Sequence, residues 1–287
     1  MFDKHFFLKK LLKIRYFEKS LDKLFEDQKI FGTYHRCIGQ ESVAVAFTWF
    51  LDNKKDFVVS NHRNHGHYLA FTDKYKLLLD EISGKKSGVS GGKGGSQVLM
   101  EKNFYSNGIL GSTIAVAVGV AMGFKLKKSK NLVVCFIGDG ALGTGIAYES
   151  FNISSLYKLP ILFILENNGI AQSTQINKNL AGDINLRFDA FGIKNFNVNG
   201  DDINEMMNLS KKLAYDIRNN NSPKAVHVKI NRLCAHSKGD ESNLKKIFKE
   251  IQDPLEVIKK NIKKKEYIKY DDQCKSYVKN LIENFDK

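Results

Sequence analysis

Two short segments hold the side chains best placed to do chemistry. The first, Gly138-Asp139-Gly140-Ala141-Leu142-Gly143-Thr144-Gly145, follows an apolar run and opens a helix-like stretch. A glycine-rich turn at a helix N-terminus exposes backbone N–H groups and the positive end of the helix dipole, which suits a phosphate, while Asp139 adds a hard oxygen suited to Mg²⁺. The segment is neither G-x-G-x-x-G nor a Walker A loop, and an Asp between glycines also serves as a plain turn and N-cap. The second segment, Glu166-Asn167-Asn168-Gly169-Ile170, places Asn168 at 168 − 139 = 29 residues beyond Asp139. Alone it reads as an Asn-Asn-Gly turn. At the ends of two consecutive strands, however, the carboxylate and the carboxamide converge on one cation, leaving its other positions to a backbone carbonyl, water and ligand phosphate oxygens. Each histidine, His35 and His236 included, reads in isolation as a hydrogen-bonded structural residue. The spacing of His62, His65 and His67 also permits a transition-metal cluster, although no carboxylate ligand motif lies beside it.

Positioning these residues requires a sheet. The runs Phe57-Val58-Val59, Leu132 to Ile137, Ile161 to Leu165 and Ala225 to Ile230 are apolar, rich in β-branched and aromatic residues, and bounded by polar or turn residues, as buried strands are. Helix-like stretches lie between them, among them Ile146 to Tyr157 and Ile203 to Arg218. The alternation predicts an α/β fold with a parallel sheet covered by helices on both faces, and ligands in such sheets bind beyond the carboxyl ends of the strands. Residues from about 1 to 30 read as an amphipathic helical extension. The lysine-rich stretch from about 241 to 287 reads as a helical tail outside the sheet. No proline-rich or Gly/Ser-rich linker interrupts the chain, so residues 1–287 are expected to form a single domain.

The 287 residues carry 45 Lys plus Arg against 31 Asp plus Glu, a formal charge of +14. Only six of the basic residues are arginines, leaving 45 − 6 = 39 lysines. Nucleic-acid surfaces lean on arginine forks, so the charge points to a solvated surface rather than a nucleic-acid partner, with a basic RNA- or membrane-associated protein as the remote alternative. The stretch from Gly108 to Phe124 falls short of the roughly 20 strongly apolar residues of a membrane span and is expected to be a buried helix. No signal peptide is legible at the N-terminus. Four scattered cysteines without CxxC spacing fit a reducing cytoplasm.

GDG followed after about thirty residues by NN resembles the thiamine-diphosphate and magnesium signature. The wider text GDGALGTGIAYESFNISSLYKLPILFILENN resembles the alpha subunit of the decarboxylating component of 2-oxo-acid dehydrogenase complexes of the pyruvate, branched-chain and acetoin type. FGTYHRCIGQES, HRNHGHYLA, GGKGGS, KNFYSNGILG, NLAGDINLRFDAFGI, NGDD and RLCAHSKGD continue the likeness in the family's order, from about Arg15 to Pro254. The resemblance implies a thiamine-diphosphate-binding fold in which Asp139, Asn168 and the Ile170 carbonyl hold Mg²⁺. It implies that Gly140 and Ala141 present N–H groups to the diphosphate, that His62, Arg63 and His236 face the cofactor, and that Gly108 and Leu110 contact the aminopyrimidine through backbone. His236 and His35 then stand at the catalytic and substrate positions. The chain departs from the family at His62 for the usual Tyr, at Gln97-Val98 for Met-His and at Gly143-Thr144 for Asn-Gln.

By the same resemblance the pyrimidine-activating glutamate belongs to a separate beta subunit, so an α₂β₂ assembly and a lipoyl acyltransferase partner are implied. The activity implied is decarboxylation of a small 2-oxo acid with transfer of the acyl unit to a lipoyl acceptor. The alternatives are a carboligase or ketol transferase subunit and the amino-terminal half of a split transketolase, whose GDG is usually followed by acidic residues.

Overall fold

The computed structural model describes residues 2–238 and 248–285. Helices α1 (Lys4–Glu26) and α2 (Glu41–Thr48) lead into strand β1 (Phe57–Ser60), which α3 (His65–Thr72), α4 (Tyr75–Ile82), β2 (Met100–Glu101) and β3 (Phe104–Ser106) follow. Next come α5 (Ser112–Leu126), β4 (Val133–Gly138), α6 (Gly145–Leu156), β5 (Ile161–Asn167) and the short strands β6 (Ile170–Ala171) and β7 (Thr174–Gln175). The chain continues through α7 (Leu186–Asp189), β8 (Lys194–Asn199), α8 (Ile203–Asn220), β9 (Lys224–Lys229), α9 (Pro254–Lys260) and α10 (Lys264–Glu283). The opening of the lysine-rich tail, 241–247, lies outside the described residues.

Seven strands pair in the order β2-β3-β1-β4-β5-β9-β8, all parallel except β2. The alternation of side chains across each strand sorts the apolar residues into two cores. Val134 and Phe136 of β4, Leu162 and Ile164 of β5, and Val226 and Val228 of β9 join the core formed with α1, α2, α8 and α10. Their neighbours Val133, Cys135, Ile137, Ile161, Phe163, Leu165 and Ala225 face the second core, under α5 and α6. Both faces of the sheet are therefore covered, as the continuous apolar runs require. The chain leaves β1 to build β3 on one side and returns to build β4 on the other, so strand order reverses about β1 and opens a crevice at the carboxyl edge.

Helix α1 is integral to the first core. Asp3 caps it by accepting from the His5 and Phe6 N–H groups, and Phe7, Leu8, Leu11, Ile14, Phe17 and Leu21 are completely buried along one stripe. On its far side α10 packs through Cys274 and Val278, and Tyr16 donates to Asp271 at 2.7 Å. The stretch expected to be a buried helix is α5, and only one face of it is buried. Ile114, Ala117, Val118 and Ala121 face the core, while Val116 and Leu126 are exposed and a Cβ on Gly119 or Gly123 would meet nothing within 4 Å. Apolar composition on all sides of a helix calls for cover on all sides, and the sheet supplies it on one. No described helix is long and apolar enough to cross a membrane.

One buried ion cluster ties three helices together. The Arg15 guanidinium of α1 makes a two-pronged contact with Glu41 of α2 and donates at 3.0 and 2.9 Å to Asp253, the cap of α9. Removing one partner of a buried pair strands the other's charge. Arg15→Met is therefore expected to lower unfolding stability by about 3–5 kcal/mol in urea titrations, and Arg15→Met/Glu41→Met to recover most of it.

Candidate active site

All of the parallel strands point their carboxyl ends at one edge, so the segments that follow β1, β3, β4, β5 and β9 meet there. They wall a cavity of about 390 Å³, within the usual range for small-molecule sites. After β1 come Asn61, His62 and Arg63, and after β3 come Gly108 and Leu110. Asp139, Gly140 and Ala141 follow β4, Asn168 and Ile170 follow β5, and Arg232 and His236 follow β9. His35 enters from the loop ahead of α2. Every site residue expected from the sequence lines this one cavity.

Asp139 begins a single 3₁₀ turn and is 3% exposed. Its Oδ1 accepts from the Gly140 N–H at 2.9 Å, whereas Oδ2 is buried with no hydrogen-bond partner among the described residues. Burial pushes its carboxyl up to about 6, against the pull of the Gly140 and Gly169 N–H groups. The two asparagines divide their work. Asn167 turns inward, its Nδ2 2.9 Å from His227 Nε2 and its Oδ1 accepting from Gly169 N. Asn168 lines the cavity and its Oδ1 accepts from Ile170 N at 3.1 Å, shaping the turn into β6. One glycine is required by close approach, since a Cβ on Gly140 would lie 2.7 Å from the Ala171 Cβ; a Cβ on Gly108 would lie 2.2 Å from Gln97 Oε1, the mobile end of a side chain.

The histidines arrange themselves differently from their spacing. His65 lies between Glu18 (2.8 Å) and Ser96 (2.9 Å), and His67 lies between Ser60 (2.8 Å) and Glu166 (3.3 Å), stacked on Phe136. The cluster suggested by His62, His65 and His67 therefore does not form. His62 instead joins His35 and His236, with ring centroids 4.6 to 5.5 Å apart. Burial and then the Arg63 charge hold His35 down at about 3 and His62 at about 2, so both are neutral at physiological pH. Arg63 donates to the Arg36 carbonyl and, at 3.0 Å, to the His236 carbonyl. Arg232 Nη1 lies 3.1 Å from His236 Nδ1. Arginine has no acceptor, so that nitrogen accepts and the imidazole proton resides on Nε2.

The cavity also includes Gln40, Asn61, Glu166 and Arg232, which sequence reasoning did not single out. Asn61 directly follows a strand and Glu166 sits near the end of one, where the carboxyl-edge rule points. Gln40 and Arg232 sit inside the quoted stretches FGTYHRCIGQES and RLCAHSKGD. Gln97, noted above only as a departure, packs its amide against Gly108.

Residues 9–285 match the family model described as dehydrogenase E1 component. The pyruvate dehydrogenase E1 component subunit alpha of Zymomonas mobilis is 32% identical over 98% of this chain and 83% of its own length. The same subunit of Rickettsia felis is 34% identical over 90% of this chain and 82% of its own length. The alpha subunit of acetoin:2,6-dichlorophenolindophenol oxidoreductase from Bacillus subtilis is 34% identical over 82% of this chain and 72% of its own. With the match running through every strand that feeds the cavity, the chain belongs to the dehydrogenase E1 component family.

Proposed function

We propose that this chain is the alpha subunit of a thiamine-diphosphate- and Mg²⁺-dependent 2-oxo-acid dehydrogenase, which decarboxylates a small 2-oxo acid such as pyruvate and passes the acyl unit to a lipoyl acceptor. The observation that carries the reading is Asp139 Oδ2, a buried carboxylate oxygen in the wall of a cavity with no donor to satisfy it. A divalent cation satisfies it, and the oxygen donors of Asp139, Asn168 and the Ile170 carbonyl are hard ligands of the kind Mg²⁺ takes. Around them the N–H groups of Gly140 and Ala141 and the charges of Arg63 and Arg232 suit a diphosphate. Thiamine diphosphate, when bound, supplies a nucleophilic carbon and an electron sink.

The chain's own residues bind, orient and move protons. Gly108 and Leu110 offer backbone to the aminopyrimidine, and His62 and Arg63 face the diphosphate. His236 presents the Nε2 proton that Arg232 fixes there, while neutral His35 stands on the substrate side as a hydrogen-bond partner. A beta subunit supplying the pyrimidine-binding half, in an α₂β₂ assembly, covers the exposed apolar residues Ile109, Val116, Ile146 and Leu156. A lipoyl acyltransferase accepts the product. The four cysteines are free and buried, which fits a reducing cytoplasm.

The lone chain is expected to turn nothing over, and decarboxylation of pyruvate to appear when it is co-purified with a beta subunit of this family. Robust turnover by the lone chain overturns the division of labour. His236→Ala in that assembly should lose about 10²- to 10⁴-fold in kcat with circular dichroism unchanged. Asp139 has a folded pKa above its unfolded value, so its ionisation favours the unfolded chain as pH rises from about 4 to about 6, and the full penalty stands above that. Asp139→Asn is accordingly expected to stabilise the cation-free chain by about 3 kcal/mol at neutral pH, by urea titration, while calorimetry shows Mg²⁺-dependent cofactor binding lost.

A further inference from the structure

We propose that His227 is a positioning residue: its imidazole closes the base of the loop 168–184 and so sets the turn that carries Asn168 and the Ile170 carbonyl into the cavity. The loop leaves the end of β5 and returns to the start of α7, and the two residues that bracket it, Asn167 and Asn185, hold the same ring. Asn167 Nδ2 lies 2.9 Å from His227 Nε2, and Asn185 Oδ1 lies 2.9 Å from His227 Nδ1. The link to a cation rests on the function proposed above, whereas the closure of the loop stands on these contacts alone.

A backbone donor fixes the direction of every bond in this network. The Gly169 N–H can only donate, so the Asn167 atom it meets at 2.9 Å is Oδ1, and Nδ2 faces the ring. Burial, and then the Lys229 charge, hold His227 down at about 4 against the pull of Asp183, so the ring is neutral, with one donor and one acceptor. Nε2 accepts from Asn167, the ring proton therefore sits on Nδ1, and Asn185 presents its oxygen, which also takes Asn195 Nδ2 of β8 at 2.9 Å. His227 and Asn167 are 4% and 6% exposed, so water does not compete for these bonds. With its amide held this way, Asn167 bends the chain at Gly169, φ +76°, immediately before Ile170. The loop has little core of its own to hold it. Between 172 and 183 only Ile176 and Leu180 are half-buried, and the rest are exposed. Its far side reaches the Asp139 turn, where Asn179 Nδ2 lies 3.5 Å from the Gly140 carbonyl. The seating of the loop thus bears on the turns after both β4 and β5, and partners that orient ligating groups from behind typically govern metal affinity by about 10- to 100-fold.

His227→Leu keeps apolar bulk and removes both nitrogens, whereas Asn185→Ala, at a half-buried position, removes the loop-side partner alone. Circular dichroism melts confirm folding, and Asn185→Ala decides if His227→Leu does not fold. In the cofactor-free full chain, amide hydrogen exchange followed by mass spectrometry is expected to quicken at least about tenfold in peptides covering 168–185, with β4 and α8 unchanged. In the chain assembled with a beta subunit, the Mg²⁺ concentration that half-saturates thiamine diphosphate binding in calorimetry is expected to rise by about 10- to 100-fold. His227→Gln, whose amide again offers one acceptor and one donor, is expected to recover most of both effects. Unchanged exchange in 168–185 in a folded variant, or quickening spread equally over β4 and α8, overturns the closure. Local quickening with unchanged Mg²⁺ dependence, or the same loss in His227→Gln as in His227→Leu, overturns the positioning role. A parent assembly that binds no thiamine diphosphate overturns the proposed function instead, and the exchange result still decides the closure.

Discussion

The guanidinium of Arg63 is the contact around which the cavity is assembled. A parallel sheet aligns the ends of its strands at no further cost, since register alone brings Ser60, Gly138 and Asn167 to one edge. It does nothing for loops that run past that edge. The segment carrying His35 precedes α2, and the segment carrying His236 lies beyond the end of β9. Arg63 joins both to the end of β1 through two carbonyls, and Leu233 N to the Ile38 carbonyl at 3.0 Å reinforces the seam. Hydrogen bonds to a charged donor contribute about 1.5–3 kcal/mol each, several times the value of an exposed ion pair. A residue expected to face a ligand is thereby also a structural fastening.

Buried charge is handled in two opposite ways in this chain. At Arg15 it is compensated: Glu41 and Asp253 share one guanidinium, and Glu41 also accepts from Gly39 N at 2.9 Å. Gly39 itself sits at φ +94°, where a Cβ would lie 2.6 Å from the Asn231 carbonyl, so this loop is fixed by backbone shape as well as by charge. At Asp139 one carboxylate oxygen, Oδ2, has no such compensation among the described residues. A carboxylate left short of donors costs stability in the isolated chain, and in the proposed function a cation relieves that cost. Stability and binding are drawn from the same group, which is why one cluster belongs to the fold and the other to the chemistry.

How much of this could be read beforehand follows from the physics of each signal. β1, β4, β5 and β9 lie in the interior of the sheet and are legible as continuous apolar runs. β8, Lys-Asn-Phe-Asn-Val-Asn, is an edge strand whose alternate residues face solvent, and β3 is three residues long, so neither produces such a run. That Asp139 and Asn168 line one cavity was legible because both follow consecutive interior strands. The His35, His62 and His236 cluster was not, since spacing along a chain carries no information about loops that meet through tertiary contacts. The spacing of His65 and His67 permitted a cluster that the lack of a carboxylate ligand motif argued against, and both serve buried networks. The half-exposed face of α5 escaped for a further reason: composition specifies that a helix wants cover but not which chain provides it.

That face has a consequence for the cofactor's wall. Leu110 lines the cavity, Gly111 at φ +85° turns the chain, and α5 begins at Ser112. Thr144, which the Gly111 turn touches, precedes α6, so α5 and α6, which both carry exposed apolar residues, start from the rim of the site. A partner seated on α5 and α6 then orders the same backbone that the aminopyrimidine contacts in the proposed function. Whatever stabilises that rim favours both events, and linkage makes the benefit reciprocal: partner association tightens cofactor binding by the factor by which cofactor tightens association. In the proposed function, this coupling gives a physical reason for a diphosphate-binding chain to depend on a second subunit.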